Sequence, residues 1–374
     1  MSENSIPQTD PRAGYLEKKA AIDAAVTRVL ESGWYILGRE AEAFEARFAG
    51  FIGAVHGIGC GNGTDAIELA LRACGIGAGD LVFTVSHTAV ATVAAIERAG
   101  ATAVLIDIER GGFCMDPEAL EQAVKAPPKG RPAAVLPVHL YGEPAALAEI
   151  GAIARTHGLR LIEDAAQAHG ATYRGRVVGS IGDFGCFSFY PTKNLGALGD
   201  AGAIVTGDAE LAAAAREIRE YGWRDRYVSA VPGINTRLDP LQAAILNAKL
   251  DGLAVDNARR QAVAARYDSG LAELPLKLPA RRDGATHVFH QYVIRTAQRD
   301  RLREHLGKAG IGTGIHYPLP VHLHPAYCGR VPVGPTGLCN SEAVAREILS
   351  LPMFPQLSDG AVDRVIAETR RFFL

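Results

Sequence analysis

The chain has 374 residues, 48% of them hydrophobic, enough for a large buried core and for two domains. Its 39 basic and 41 acidic side chains leave a formal charge of −2, so no strong field calls for nucleic acid or a membrane surface. No apolar run reaches the roughly 18 residues of a membrane span, and the polar start "MSENSIPQTDPR" has no secretory apolar stretch. The cysteines Cys60, Cys74, Cys114, Cys186, Cys328 and Cys339 are scattered without C-x-x-C spacing, which reads as reduced thiols in a cytoplasmic α/β protein.

In chain order, apolar positions recur at helical spacing from Leu16 to Leu30, and Gly33 follows as a stop. "REAEAFEARFAGFIG" predicts a second amphipathic helix. From about Leu81, short apolar runs alternate with helical stretches. "LVFTV", "TAVLID", "AAVLPVHL" and "LRLIED" predict strands, with helices in "TAVATVAAIERAG" and "EPAALAEIGAIARTHG" between them. The last of these carries Pro144 at a first helical position and Gly158 at its end. Such alternation implies a mostly parallel sheet with helices on both faces, and chemistry at the carboxyl ends of its strands. A long helix is expected from about Asp239 to Tyr267. The domain boundary is placed near residue 250, giving a large domain over 1–250 and a smaller α/β domain over 251–374.

Three stretches carry chemistry. In "GNGTDAIELALRACG", Asn62-Gly63-Thr64 precedes an apolar helical pattern, either as an anion site on a helix N-terminus or as an ordinary capping turn. In "LRLIEDAAQAHGA", Asp164 ends a strand and Gln167 stands three residues on; an N-cap aspartate is the plainer alternative. In "FSFYPTKNLGALGD", Ser188 lies in a strand and Lys193 in the loop beyond it. The sequence uses 8 lysines against 31 arginines, and a lysine behind an apolar run suits chemistry that only a primary amine performs. An anion cradle, a carboxylate and an amine at neighbouring strand ends are the parts that phosphate, ring and amine chemistry require.

With "SGWYILGREAEAFE", "GINTRLDPLQAAIL" and "GIHYPLPVH", these stretches make nearly the whole chain resemble the DegT-type sugar aminotransferases, pyridoxal-phosphate enzymes of the aspartate-aminotransferase fold. That resemblance implies fold type I, with a mostly parallel, mixed seven-stranded sheet in the large domain. It also implies that Lys193 forms a Schiff base with the aldehyde of pyridoxal 5′-phosphate, that Asp164 keeps the pyridine nitrogen protonated, and that Gln167 hydrogen-bonds the ring 3-oxygen. Thr64, the backbone around Gly63 and Asp65, and Ser188 would hold the phosphate, joined by Asn235 from a neighbouring subunit of an obligate homodimer. Arg237, His316 and Tyr317 match positions lining the sugar-nucleotide site. The implied substrates are L-glutamate as donor and a nucleotide-linked keto-hexose as acceptor. Proline after His-Tyr in "GIHYPLP" leans toward relatives that aminate C3 rather than C4. Many relatives carry a ring-stacking aromatic where this chain has Ala89; alanine cannot stack, so either His87 or another side chain covers that face, or cofactor contact there is thinner.

Competing readings have their own signatures. A non-catalytic regulator would not need Lys193, and deoxygenating relatives carry histidine in its place. His316, His322, His324 and Cys328 suggest zinc, but prolines break the helix and no cysteine pair stands at ligand spacing, so no metal is expected. Arg216, Arg219, Arg224 and Arg226, with aromatics between them, suit phosphates, a solvated helix end or a dimer contact. "AELAAAAREIRE" reads as a surface helix.

Overall fold

The computed structural model describes residues 5–374. Seven strands build the main sheet: β1 (His56–Cys60), β2 (Asp80–Val85), β3 (Thr102–Ile106), β4 (Arg131–Val135), β5 (Arg160–Asp164), β6 (Phe184–Ser188) and β7 (Gly202–Thr206). Their spatial order is β1-β7-β6-β5-β4-β2-β3. The pairs from β6 across to β3 are parallel, and β7 runs antiparallel to both β6 and β1. The sheet is thus the mixed, mostly parallel one expected. Its strands are buried on both faces, β2 along its whole length, which is why they read as continuous apolar runs rather than alternating ones.

Helices cover both faces through apolar stripes. Phe44, Phe48 and Ile52 of the helix Arg39–Ile52 pack with Phe187 and Phe189, and Ile67, Leu69 and Leu71 of the helix Gly63–Ala73 join the opposite core. Burying these stripes, at roughly 25 cal/mol per Å2 of apolar surface removed from water, drives the helices onto the sheet. A third cluster gathers Tyr267, Tyr292, Leu302, Leu306, Leu349 and Val365 around the antiparallel pair Tyr292–Arg295 and Ile348–Leu351.

Four local expectations shift. The first long helix is two, Pro11–Glu17 and Lys19–Ser32, with Gly33 stopping the second in a left-handed conformation (φ 65°). The strand predicted over "AAVLPVHL" ends at Val135 because Pro137 has no N–H to give the ladder; pairing resumes as a single bridge from Val138 to Asp164. Pro144 does not open the next helix, which starts at Leu147. The long helix over Asp239–Tyr267 divides at Asp251-Gly252 into Pro240–Leu250 and Leu253–Leu271. The helix over "AELAAAAREIRE" does turn one face outward, but Leu211, Ala212, Ala215, Ile218 and Arg219 are buried on the other. Among the described residues no helix is long and apolar enough to cross a membrane.

Candidate active site

A cavity of about 590 Å3 opens at the carboxyl ends of β2, β4, β5 and β6. Gly63, Thr64, Asp164, Gln167, Ser188, Lys193, His316 and Tyr317 all line it. Stretches separated by up to 254 positions therefore meet where the parallel sheet predicts a ligand site.

One corner of it is the start of the helix Gly63–Ala73. Asn62 caps that helix, its Oδ1 accepting from the Asp65 amide at 2.9 Å, while its carbonyl accepts from Ala66. The amides of Gly63 and Thr64 remain as first-turn donors, a favourable place for an anion. Gly63 is required here because a Cβ would lie 2.7 Å from the Ser188 Cβ. The bare backbone lets the helix start abut the end of β6. Asp65 has a different place from the one the resemblance implied. Its amide goes to Asn62, its carboxylate takes the Thr236 hydroxyl at 2.7 Å and an Arg98 ion pair at 2.9 Å, and it does not line the cavity.

Asp164 ends β5, buried to 5% exposure. Its Oδ2 accepts from the Thr92 hydroxyl at 2.9 Å and its Oδ1 from the Ala166 amide at 3.2 Å. Burial pushes its carboxyl up from the ordinary range, against the opposing pull of those donors and of Lys193 and His139. Lys193 follows β6 in a turn closed by its own amide on the Tyr190 carbonyl at 2.8 Å. Next to it, buried Asn194 anchors the loop by donating to Asn257 at 2.8 Å and to the Val288 carbonyl at 3.0 Å. Burial draws the Lys193 ammonium down to about 8, with Asp164 pulling the other way. About a tenth of this amine is therefore neutral and nucleophilic at pH 7, far more than for a surface lysine.

Gln167 is fixed at both ends of its amide. The Tyr141 N–H donates to its Oε1 at 2.7 Å, and its Nε2 donates to the Tyr317 hydroxyl at 3.1 Å. Tyr141 holds a left-handed backbone (φ 60°), a strain that its bonds to Gln167 and to the His316 carbonyl offset. His316 itself bonds Ser350 through Nδ1 at 2.8 Å.

Two implied residues stay outside this cavity. Asn235 is exposed and pairs through its backbone with Glu220, and Arg237 reaches toward Glu220 at 3.9 Å. His87 does not cover the site at Ala89 either: it is fully buried, bonds the Tyr141 hydroxyl at 2.9 Å and is drawn down to about 3 by burial. Thr88, Ala89, Ala91 and Thr92 form that wall instead. Sequence reading also missed Thr92, Tyr190 and His290 as lining residues. Thr88 and Thr92 stand one helical turn apart ahead of an apolar stripe, a spacing that marks them as one face. Nothing local signals His290.

The histidines weighed as zinc ligands have other partners: His322 bonds Ser86 at 2.8 Å and Glu342 at 3.3 Å, and His324 bonds the Leu319 carbonyl at 3.2 Å. No group of three or more His, Cys, Asp or Glu side chains suited to a metal occurs among the described residues. In the arginine cluster, Arg219 is buried against Glu45 at 2.6 Å and Arg216 bonds the Gly57 carbonyl, so these two serve the scaffold. Arg224 pairs with Glu217, and Arg226 lies over the Tyr227 ring at 4.9 Å.

Residues 17–370 match the model of the DegT/DnrJ/EryC1/StrS aminotransferase family. The chain belongs to that family. It is 47% identical over 369 residues to the dTDP-3-amino-3,4,6-trideoxy-alpha-D-glucose transaminase of Streptomyces venezuelae, covering 98% of this chain and 96% of that protein. It is 42% identical to the UDP-N-acetyl-3-dehydro-alpha-D-glucosamine 3-aminotransferase of Acidithiobacillus ferrooxidans, covering 99% of each. The crystal structure of S. venezuelae DesV in complex with a ketimine intermediate superposes with a TM-score of 0.94, at 47% identity and 98% coverage of both chains. A family-wide aminotransferase scaffold is thus joined to a cavity with its own amine, carboxylate and anion cradle.

Proposed function

We propose that this aminotransferase uses pyridoxal 5′-phosphate to move an amino group from L-glutamate to a nucleotide-linked 3-keto-hexose in amino-sugar biosynthesis. The observation that carries the reading is the convergence of Lys193, Asp164, Gln167 and a capped helix start on one cavity. The donor set fits the cofactor part by part: first-turn amides with Thr64 and Ser188 for a phosphate, a buried carboxylate for a pyridinium, an amide for a phenolic oxygen and an easily deprotonated amine for an aldehyde. When bound, the cofactor supplies an electron sink for negative charge developing at the donor α-carbon.

The chain's residues do the rest. Lys193 would hold the cofactor through its aldehyde, and its amine, when free, would serve as the base for the proton on the donor α-carbon and as the acid that gives it back. Asp164 keeps the ring nitrogen cationic, and Gln167, gripped by Tyr141 and Tyr317, orients the ring oxygen. The same residues run the second half in reverse on the keto-sugar, giving ping-pong kinetics. His316, Tyr317 and Arg237 are assigned to the sugar nucleotide. Asn235 of the partner subunit completes the phosphate site, which makes the working form a homodimer; the setting is the cytoplasm. Position C3 follows from the two relatives, both named for 3-amination.

The test is spectroscopic and then chemical. The purified protein should show a band at about 410–430 nm that bleaches with L-glutamate, and a panel of 3-keto and 4-keto sugar nucleotides should be aminated at C3 only. A colourless protein that ignores added cofactor would sink the reading, and turnover of 4-keto sugars alone would overturn the C3 assignment.

A further inference from the structure

Asp164 and its chain neighbour Glu163 are both buried carboxylates, yet their environments push them in opposite directions. Glu163 is fully buried, but it pairs with His139 at 3.0 Å and accepts from the Gly179, Ile181 and Gly182 amides at 2.7 Å each. Burial works upward on it, and these donors outweigh burial, so its carboxyl lies below the ordinary range. Among the described residues Asp164 has two hydrogen-bond donors, and burial wins. The carboxylate that has to carry charge is therefore the less supported of the two. Losing either donor would leave a buried charge with one bond, a costly state.

One donor is the Ala166 amide, which no side-chain change removes. The other is the hydroxyl of Thr92, 1% exposed, in the first turn of the helix Val90–Arg98. Thr92 in turn lies 3.0 Å from the hydroxyl of Thr88, 2% exposed and one helical turn back. Each hydroxyl has one proton to give. If Asp164 is ionised, the Thr92 proton goes to the carboxylate, so the Thr88 proton has to go to Thr92, and the pair is polarised toward Asp164. If Asp164 is protonated, it donates to Thr92 and that order is lost. The helix start adds a favourable partial positive charge beside the carboxylate. The other charged or titratable groups acting around Asp164 are Lys193 from the loop after β6, His139 from beyond β4, Cys186 on β6, Tyr317 and Glu163 itself. Of these, Lys193 changes its bonding during the proposed cycle; the two threonines do not.

We propose that Thr88 and Thr92 form a polarised hydroxyl relay that holds Asp164 in its anionic form, with Thr92 as the direct positioning residue and Thr88 setting its orientation. The inference rests on the functional reading above, because only a pyridinium partner gives the Asp164 charge a catalytic task. It also gives the small wall at Ala89 a purpose, since this segment serves Asp164 rather than stacking on the ring.

The test uses holoenzyme loaded with cofactor 15N-labelled at the ring nitrogen. In Thr92→Val, a near-isosteric change, the nitrogen resonance should move toward its unprotonated position, and kcat should fall about tenfold, the ratio that one pKa unit represents. KM for glutamate should stay unchanged, and Thr92→Ser should restore both the resonance and kcat. Thr88→Val should shift both in the same direction by less, and it carries the test alone should the Thr92 variant fail to fold. An unchanged resonance in the valine variants, or a loss that serine does not rescue, overturns the relay. A wild-type protein that binds no cofactor refutes the functional reading instead; a loaded wild type with indifferent variants refutes only the relay.

Discussion

The floor of the cavity and its outer rim are built in different ways. On the floor, Asp164, Gln167 and Lys193 sit on or just beyond strand ends; Thr92, Tyr141 and Tyr317 from distant segments fix the first two, and the Lys193 amide closes its turn on the Tyr190 carbonyl. The rim, taken as the segment after Glu220 that stays out of the cavity lining, begins with the hairpin Trp223–Asp225 and Val228–Ser229, which carries exposed Tyr227 and Val228, and continues to Asn235 and Arg237, which point no side chain into the cavity of their own chain. Another exposed apolar run, Trp34, Tyr35 and Ile36, lies in the turn before the helix Arg39–Ile52. The floor is thus preorganised within one polypeptide, whereas the rim keeps aromatic and apolar side chains in water. Under the proposed function, that contrast keeps the amine and ring-nitrogen chemistry within one chain and leaves the Asn235 phosphate contact to a partner subunit.

The sharpest way to break the comparison is to remove the amine. Lys193→Ala should abolish turnover, a loss of several orders of magnitude expected when a covalent catalyst is deleted, while circular dichroism reports an unchanged fold. An active variant would remove the floor's central claim. Next in size, Asp164→Asn should keep bound cofactor yet lose roughly a hundredfold in kcat, because a neutral amide cannot hold the ring nitrogen cationic. Single-turnover absorbance with glutamate isolates that step, and near-normal rates would contradict the role.

The rim predicts a smaller and different effect. Asn235→Ala should weaken cofactor retention and Arg237→Ala should raise KM for the sugar nucleotide about tenfold, each costing on the order of one hydrogen bond to a charged group. Neither should alter proton transfer from glutamate once cofactor is saturating. If dilution of the wild type to monomer leaves cofactor affinity unchanged, the shared phosphate site is wrong.

The difference between floor and rim also explains what the sequence revealed. Asp164, Lys193 and Gly63 were legible because strand-end position, scarcity of lysine and a capped helix start are local signals, and a parallel sheet brings strand ends together. Tyr141 and His290 were not, because one depends on a left-handed backbone at a non-glycine and the other on a contact from beyond residue 250. His87 misled because a histidine beside a small residue looks free to face the site; its bond to Tyr141 turns it into the core. The broken helices at Lys18 and at Asp251-Gly252 escaped notice because an apolar stripe continues across both breaks.

The smallest expected effect tests the floor without cofactor or substrate. Burial draws Lys193 from 10.5 to about 8, so between those values the unfolded chain binds a proton that the folded chain lacks. Stability contributed by this position therefore rises with pH through that window, is complete above 10.5, and is lowest below 8, where the folded protein has to bury an ammonium. In cofactor-free protein, Lys193→Met should accordingly be more stable than wild type at pH 7, with the advantage shrinking between pH 8 and 10.5. Lys249, also drawn down to about 8 by burial, is common to both proteins and cancels in the difference. Thermal melts at pH 7, 9 and 10.5 measure that difference. A constant gap would mean that methionine merely packs better, and that the amine at the heart of the site is no more strained than one on the surface.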